Sequence, residues 1–388
     1  MSSTHDVLTE LRDAINASVS GDDNAKFLEG STSLLPEDQR IRTGSLSADM
    51  ALGTGGLTRG KIHEIHGPYS SGKTTLALHA VRNAQQAGIP CVFIDAEYAL
   101  NPTWMRKLGI NTSEVLVMQP SNLENAIDTM MAIAENSPGA LFVFDSVAAA
   151  KSKSVMEADA ETETRQVEAR RWSIQVPRIV EACNRTNTTG IFINQTRDTT
   201  DRYGNPIYTT PGGSALKFAY YTQINIKRVV KEGRKEETGV EFSEVTVDVV
   251  KNKGGSPFVK GHYTIRKNQP INRYEDILGV ALEYGIVQED TKYDDDGDTI
   301  SKKGWFSLPL TPEDVEAIRE DYPEYGDGKN EGETFFQAYQ TAKFWEAVTP
   351  WHAFLDRLED RILNTLNDGD VPDGVDPDTG EIEGDDEE

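Results

Sequence analysis

Cysteine is nearly absent: Cys91 and Cys183 are the two in 388 residues. That scarcity excludes a disulfide-stapled secreted scaffold. Both lie within or beside apolar runs, so each reads as a buried small hydrophobe rather than a reactive thiol. Long hydrophobic runs are missing too. No window approaches the roughly 18 apolar residues that a membrane span needs. The opening MSSTHDVLTE has neither the basic nor the apolar region of a secretory leader. A soluble cytoplasmic protein with no membrane partner is the expectation. Positive charge is the third shortage: 39 Lys and Arg face 64 Asp and Glu, a net charge of −25. Spread evenly, such a surplus would argue against a nucleic-acid partner.

It is not spread evenly. Asp368 to Glu388 hold 11 acids and no Lys or Arg, so this stretch carries −11 and the remainder −14. Arg165 to Lys235 hold 13 Lys and Arg against 5 Asp and Glu, a local +8. The chain is an acidic body with one basic middle.

The length suggests two or three domains. Leu8, Leu11, Ile15 and Val19 recur at helical spacing and predict an amphipathic helix over residues 4–19. Ser20 to Arg40 is polar and reads as a linker with little structure. From Ile41 to about Tyr274, apolar runs alternate with helical patterns. CVFID (Cys91 to Asp95), LFVFD (Leu141 to Asp145) and GIFIN (Gly190 to Asn194) are nearly continuous apolar strands, the kind buried on both faces of a mostly parallel α/β sheet. QINIKRVV and EVTVDVV alternate as partly exposed strands do. After Ile277, turns, aromatics and acids predict a smaller α+β domain. A stripe of Trp351, Leu355, Leu358, Ile362 and Leu366 marks a last helix before the acidic tail. The expected division is 1–40, 41–275, 276–367 and a disordered tail, 368–388.

GPYSSGKTT fits the phosphate-binding pattern G-x-x-x-x-G-K-[ST]. Gly67, Pro68, Tyr69, Ser70, Ser71, Gly72, Lys73, Thr74 and Thr75 form the loop. Its glycines let backbone N–H groups turn inward around phosphates, the lysine supplies charge, and the Thr74 hydroxyl suits Mg²⁺. Ile62 to His66 can be the strand before it and Leu76 to Gln86 the helix after it. Asp145, at the end of LFVFD, is the candidate second acid for Mg²⁺. Glu97 lies just past the end of CVFID, where open α/β sheets place their ligands. It is the candidate activator of the attacking water. HEIH (His63 to His66) has the wrong spacing for a zinc helix and lies in a strand. DDDGD (Asp294 to Asp298) lacks the flanking acids of a calcium loop.

With these motifs in place, TGSLSADMALGTGGLTRGKIHEIHGPYSSGKTTLALHA, CVFIDAEYALNPTWMRKLGI, FDSVAA, FINQTRD…YGNP…TTPGGSALKF and VVKNKGGSPF together resemble the RecA family of DNA recombinases. The likeness covers about residues 41–275, in the same order and with nearly the same spacing. The looser C-terminal third and the altered stretch Lys151 to Arg171 fit a phage-encoded member as well as a bacterial one.

The resemblance implies a RecA-type P-loop ATPase core and roles for further residues. Lys73 and Thr74 would bind phosphate and Mg²⁺, Asp145 would be the Walker B acid and Glu97 the catalytic carboxylate. Trp104 falls at the position beside adenine. Gln195 corresponds to the γ-phosphate sensor at the root of the second DNA-binding loop. Lys251 and Lys253 match lysines that reach ATP from the adjacent subunit of a filament. Arg170 falls where a DNA-contacting arginine lies, near an unusually acidic first loop, Ser154 to Gln166. Residues 197–213, with Arg197, Arg202, Tyr203, Gly212 and Gly213, are too polar to fold alone and would be ordered by DNA.

The implied activity is homologous pairing and strand exchange by a helical homo-oligomer on single-stranded DNA that takes up duplex. ATP and Mg²⁺ are the cofactors, hydrolysis is stimulated by DNA, and single-strand-binding and mediator proteins are candidate partners. The N-terminal helix would serve subunit docking. A ring-forming helicase motor and a nucleotide-gated DNA scaffold that does not hydrolyse ATP are the two alternatives.

Overall fold

The computed structural model describes residues 4–18, 34–156, 164–200, 206–231, 242–289, 292–293, 299–300, 305–323, 335–339, 348 and 350–368. They fall into two compact units, Met1–Thr32 and Ser33–Glu388. In the first, α1 (Thr4–Ser18) is the predicted amphipathic helix, and its Leu11 and Ile15 are exposed.

The second unit is built on an eight-stranded sheet. Its strands are β3 (Ile62–Gly67), β4 (Cys91–Asp95), β5 (Val115–Met118), β6 (Leu141–Asp145), β7 (Thr189–Gln195), β10 (Thr222–Lys231), β11 (Phe242–Asn252) and β12 (Val259–Arg266). The order is β12-β11-β10-β3-β7-β6-β4-β5. Pairings from β10 to β5 are parallel, and β11 and β12 add an antiparallel edge. β4, β6 and β7 are apolar through their middles because both faces are covered, while β3 buries His63, Glu64 and His66 among its aliphatic residues. Ile65, Phe93, Val143 and Ile191 pack with α3 (Lys73–Gln86) and α4 (Pro102–Lys107). Phe142, Phe144 and Phe192 point the other way, toward α5 (Leu123–Asn136), α7 (Thr164–Thr186) and α8 (Gly213–Ala219). A single short turn, α6 (Lys153–Met156), precedes α7.

Phe192 centres this second layer. Its ring lies 5.8 Å from Phe142, 5.9 Å from Phe144, 6.1 Å from Trp172 and 5.6 Å from Tyr220. Edge-to-face pairs of this kind contribute about 0.5–1.5 kcal/mol each beyond the area they bury. Gly190 is required beneath them, since a Cβ there would sit 2.4 Å from the Phe142 ring.

The predicted linker is partly built. Glu37–Gln39 make one 3-10 turn, and β1 (Arg40–Ile41) pairs with β2 (Leu57–Thr58). Polar composition suggested a loose segment, but backbone pairing and the aliphatic stem of Arg40 bury its end. Residues 197–213 also differ from the loop expected. β8 (Arg197–Thr200) pairs antiparallel with β9 (Pro206–Thr209), a ladder that β-branched Thr and Ile favour. Arg202 and Tyr203, residues 157–163 of the first loop, Asp294 to Asp298 and the tail 369–388 lie outside the described residues.

Beyond the sheet, α2 (Leu46–Ala51) joins α9 (Arg273–Glu283), α10 (Pro312–Asp321) and α11 (His352–Asp368) in one apolar cluster. Leu46 and Met50 of α2 are buried within it. Thr311 and Asp314 close a capping box at the start of α10. Both cysteines are buried, and burial pushes each thiol up to about 12, as expected of inert core residues. His63 is a core residue whose ring nitrogens face Thr222 Oγ1 and the Thr58 carbonyl. Among the described residues no helix is long and apolar enough to cross a membrane, and no cluster has metal-ligand geometry.

Candidate active site

The phosphate loop leaves β3 at Gly67 and enters α3 at Lys73. The two glycines are needed for different reasons, one set by a neighbouring strand and one by the loop's own backbone. A Cβ on Gly67 would lie 2.3 Å from the Ile226 carbonyl oxygen. Gly72, the residue before the helix, sits at φ 102°, and the non-glycine Ser70 also takes a left-handed backbone at φ 58°. Lys73 folds over this loop, its Nζ donating to the Pro68 carbonyl at 2.7 Å and the Gly67 carbonyl at 3.2 Å. Burial draws its ammonium below the usual range against the pull of Asp145 and Glu97. The Ser71 hydroxyl is buried inside the loop without a hydrogen-bond partner among the described residues. Tyr69 at the tip is exposed.

The sheet order carries the acids to the loop. β7 lies between β3 and β6, and β4 follows, so the C-terminal ends of four parallel strands converge. Thr74 Oγ1 donates to Asp145 Oδ2 at 2.8 Å. Burial, then the nearby charges of Glu97 and Asp95, push Asp145 up to about 7 despite the Thr74 bond. A hydroxyl and a carboxylate in contact, crowded by two further acids, form a hard oxygen donor set short of positive charge. Mg²⁺ fits that set.

Glu97 stands at the centre. Its Oε1 accepts from Ser146 Oγ at 2.5 Å and from Gln195 Nε2 at 3.1 Å. The backbone N–H groups of Ala96 and Glu97 both donate to the Asp145 carbonyl, which fixes β4's exit against β6. Ser146 was missed in the sequence, although it directly follows Asp145; a small polar residue there carries no periodic signal. Asn194 was missed as well. Its Nδ2 donates to Glu64 Oε1 at 2.8 Å and to the Pro211 carbonyl at 3.0 Å, binding both ends of segment 195–211 to the core. Glu64 Oε2 accepts in turn from Gln223 Nε2 at 2.6 Å.

Other predicted residues lie apart. Trp104 is half-buried on α4 and packs on the α3-side core; no described contact joins it to the phosphate loop. Lys251 donates to the carbonyls of Lys217 at 2.8 Å and Phe218 at 3.0 Å, and Lys253 to Phe218 at 3.3 Å. Both lysines thus cap the C-terminal end of α8, away from the loop of their own chain. Gly212 and Gly213 begin α8 at φ 103° and 79°, and a Cβ on Gly213 would come within 3.0 Å of Ala169. Arg170, next to Ala169, is exposed on α7. Arg197 is placed by its backbone in β8.

The family model for the RecA N-terminal domain matches residues 23–272. Protein RecA of Cutibacterium acnes is 36% identical over 92% of this chain and 93% of its own length. Protein RecA of Kineococcus radiotolerans is 37% identical over 81% and 89%, and that of Acidothermus cellulolyticus 41% over 64% and 72%. A solved RadB recombinase overlaps 60% of this chain and 98% of its own, with TM-score 0.45 and 20% identity, too loose a fit to add to these. A phosphate loop opening α3, acids at the ends of neighbouring parallel strands, and relatives of this closeness along nearly the whole chain have one reading: the chain belongs to the RecA family of DNA recombinases.

Proposed function

We infer that this chain works as an ATP-dependent DNA recombinase that assembles as a filament on single-stranded DNA, pairs it with duplex and hydrolyses ATP as it turns over. One observation carries the coupling: a single carboxylate oxygen of Glu97 accepts from both Ser146 and Gln195, and Gln195 is the root of segment 197–213. The group that would activate water is therefore bonded to the residue from which the DNA segment departs.

The chain's own groups divide the work. Lys73 now rests on two neutral carbonyls; a phosphate oxygen is a charged and stronger acceptor, so the lysine would turn to ATP. Thr74 and Asp145 would hold Mg²⁺, which supplies charge neutralisation at the phosphates when bound. Glu97 would take the proton of the attacking water, with Ser146 holding its carboxylate in place. The Gln195 amide, drawn toward the terminal phosphate, would carry the state of the nucleotide into β8 and β9. Trp104 would flank the base. Lys251 and Lys253, which bond no phosphate-loop residue of their own chain, would serve the ATP of an adjacent subunit. Arg170, Arg197, Arg202, Tyr203 and the Gly212–Gly213 turn would face DNA. Residues 1–40 would dock the neighbouring subunit, and 276–367 would form the smaller domain. The acidic tail, 368–388, would compete with DNA for the basic middle.

Strand exchange between a single-stranded circle and homologous linear duplex, with ATP, tests the reading. Joint molecules are expected, and their absence while ATPase activity persists would favour a motor of the helicase type. Mixing Lys251→Ala/Lys253→Ala protein with Lys73→Ala protein should restore some ATPase activity if the lysines act across subunits.

A further inference from the structure

A cavity of about 510 Å³ lies at the far end of α3 from the phosphate loop. Arg82 follows Lys73 by nine positions on this helix, about 13 Å along its axis. Four guanidinium groups line the cavity: Arg40, Arg42, Arg82 and Arg273, with Glu37 and Glu359. Two of the four are matched. Arg42 donates to Asp49 at 2.6 Å and Arg273 to Asp356 at 2.6 Å, and Glu359 bridges both with its two oxygens.

The other two are not. Arg40 is only 8% exposed, yet its Nε and Nη1 are buried without a hydrogen-bond partner among the described residues. Asp49, Glu37 and Asp360 attract it electrostatically, but none forms an ion pair with it among the described residues. Among the described residues Arg82 bonds only the neutral amide oxygen of its neighbour Asn83, at 2.9 and 3.1 Å. Burial, together with Arg42 in one case and Arg273 in the other, holds both guanidiniums below their ordinary range. A buried cation without an ion-pair partner is costly, and arginine's planar fork suits two oxygens of one phosphate.

We propose that this cavity is a second anion site, separate from the nucleotide loop, which takes a small phosphate-bearing ligand carrying two or more negative charges between Arg40 and Arg82. The volume is within the range of small-ligand pockets, and apolar Ile41, Leu46 and Ile89 in its wall leave room for an organic part. A bound diphosphate group would supply the ion-pair partner that Arg40 and Arg82 lack among the described residues. It would also join β1 and α3 to α9 and α11, which the Arg42–Glu359–Arg273 bridge already links.

The test uses full-length protein with the nucleotide loop silenced by Lys73→Ala, so that calorimetry reads any other site alone. Pyrophosphate is expected to bind once per chain, at least tenfold more weakly after Arg40→Gln and Arg82→Gln are added. No binding to the Lys73→Ala protein, or binding untouched by the arginine changes, overturns the site. Because a change at buried Arg40 can unfold β1, the unmutated chain gives a second measurement. Phenylglyoxal adducts at Arg82, counted by mass spectrometry, should fall severalfold with pyrophosphate while those at exposed Arg178 stay constant; unchanged labelling of Arg82 overturns the proposal. ADP protecting better than pyrophosphate identifies a nucleotide as the ligand, and the reverse an inorganic one. Protection by a short DNA duplex but by neither small anion assigns the arginines to DNA and sinks the small-ligand site.

Discussion

The two ends of α3 are built in opposite ways. At its N-terminus nine consecutive residues, Gly67 to Thr75, fold into a cradle whose shape follows from their own backbone. At its C-terminus a cavity is assembled from β1, α3, α9 and α11, with Arg42 and Glu359 separated by 317 positions. The first end is specified locally and satisfies its own lysine with loop carbonyls. The second exists only if distant segments dock, and it leaves two arginines without an ion-pair partner among the described residues. Local sites tolerate changes elsewhere in the fold; assembled sites report on the packing of every element that builds them.

The sharpest way to break the comparison is at the local end. Lys73→Ala should lower nucleotide affinity by two orders of magnitude or more and take DNA binding with it. The melting temperature should barely move, since the lysine holds no distant element. Glu97→Gln should keep nucleotide and DNA bound while hydrolysis falls about 10²–10⁴-fold, the usual worth of a general base. Equal loss of nucleotide binding in both variants, measured by equilibrium titration, would remove Glu97 from its assigned role.

At the assembled end, pH should act through Asp276 on α9. Its carboxylate accepts from the Leu46 backbone N–H of α2. Burial pushes it up to about 7, with added repulsion from Asp49, against the bonds it accepts from Ser45, Leu46 and Ser47. Since its folded pKa lies above the unfolded one, the folded chain holds a proton that the unfolded chain has released. Stability should therefore be fully present below the ordinary carboxylate range and fall as pH rises toward about 7, by at most about 4 kcal/mol. Asp276→Asn should flatten that slope by close to one proton in urea titrations between about pH 5 and 6, with the difference fading above about 7. An unchanged slope would show that the carboxyl ionises freely in the fold.

A smaller effect is expected of Glu359→Gln. Losing one partner of a fully buried pair costs about 3–5 kcal/mol. Arg42 and Arg273 keep 27% and 42% side-chain exposure, so about 2 kcal/mol is expected here. Nucleotide affinity at the other end of α3 should not change. A parallel fall in that affinity would mean the two ends are coupled through the helix. The smallest effect belongs to Gly72→Ala. Nothing lies within 4 Å of a Cβ there, so only its left-handed backbone resists, at about 1 kcal/mol read by thermal melts.

Much of this was legible in one dimension. Apolar runs gave β4, β6 and β7 because strands covered on both faces favour apolar side chains on both. The cradle was legible because its glycines, lysine and threonine are contiguous. Asp145 and Glu97 were found because ligands gather at strand ends. The pairing of Glu97 with Gln195 was not, since the two are 98 positions apart and meet only when β7 inserts between β3 and β6. Ser146, Asn194 and Glu64 went unseen because a buried polar residue looks in sequence like an exposed one. Arg40 was assigned to a linker because charge suggests solvent, whereas pairing with β2 draws its backbone inside.

Sequence alone thus determined which residues could hold a phosphate and which segments must be buried, since periodicity and loop geometry act between near neighbours. Tertiary structure decided which buried polar groups find partners, because that depends on side chains brought together across the sheet. It joined Glu97 to the root of β8, set Lys251 and Lys253 against α8, and left Arg40 and Arg82 lining one cavity without an ion-pair partner among the described residues.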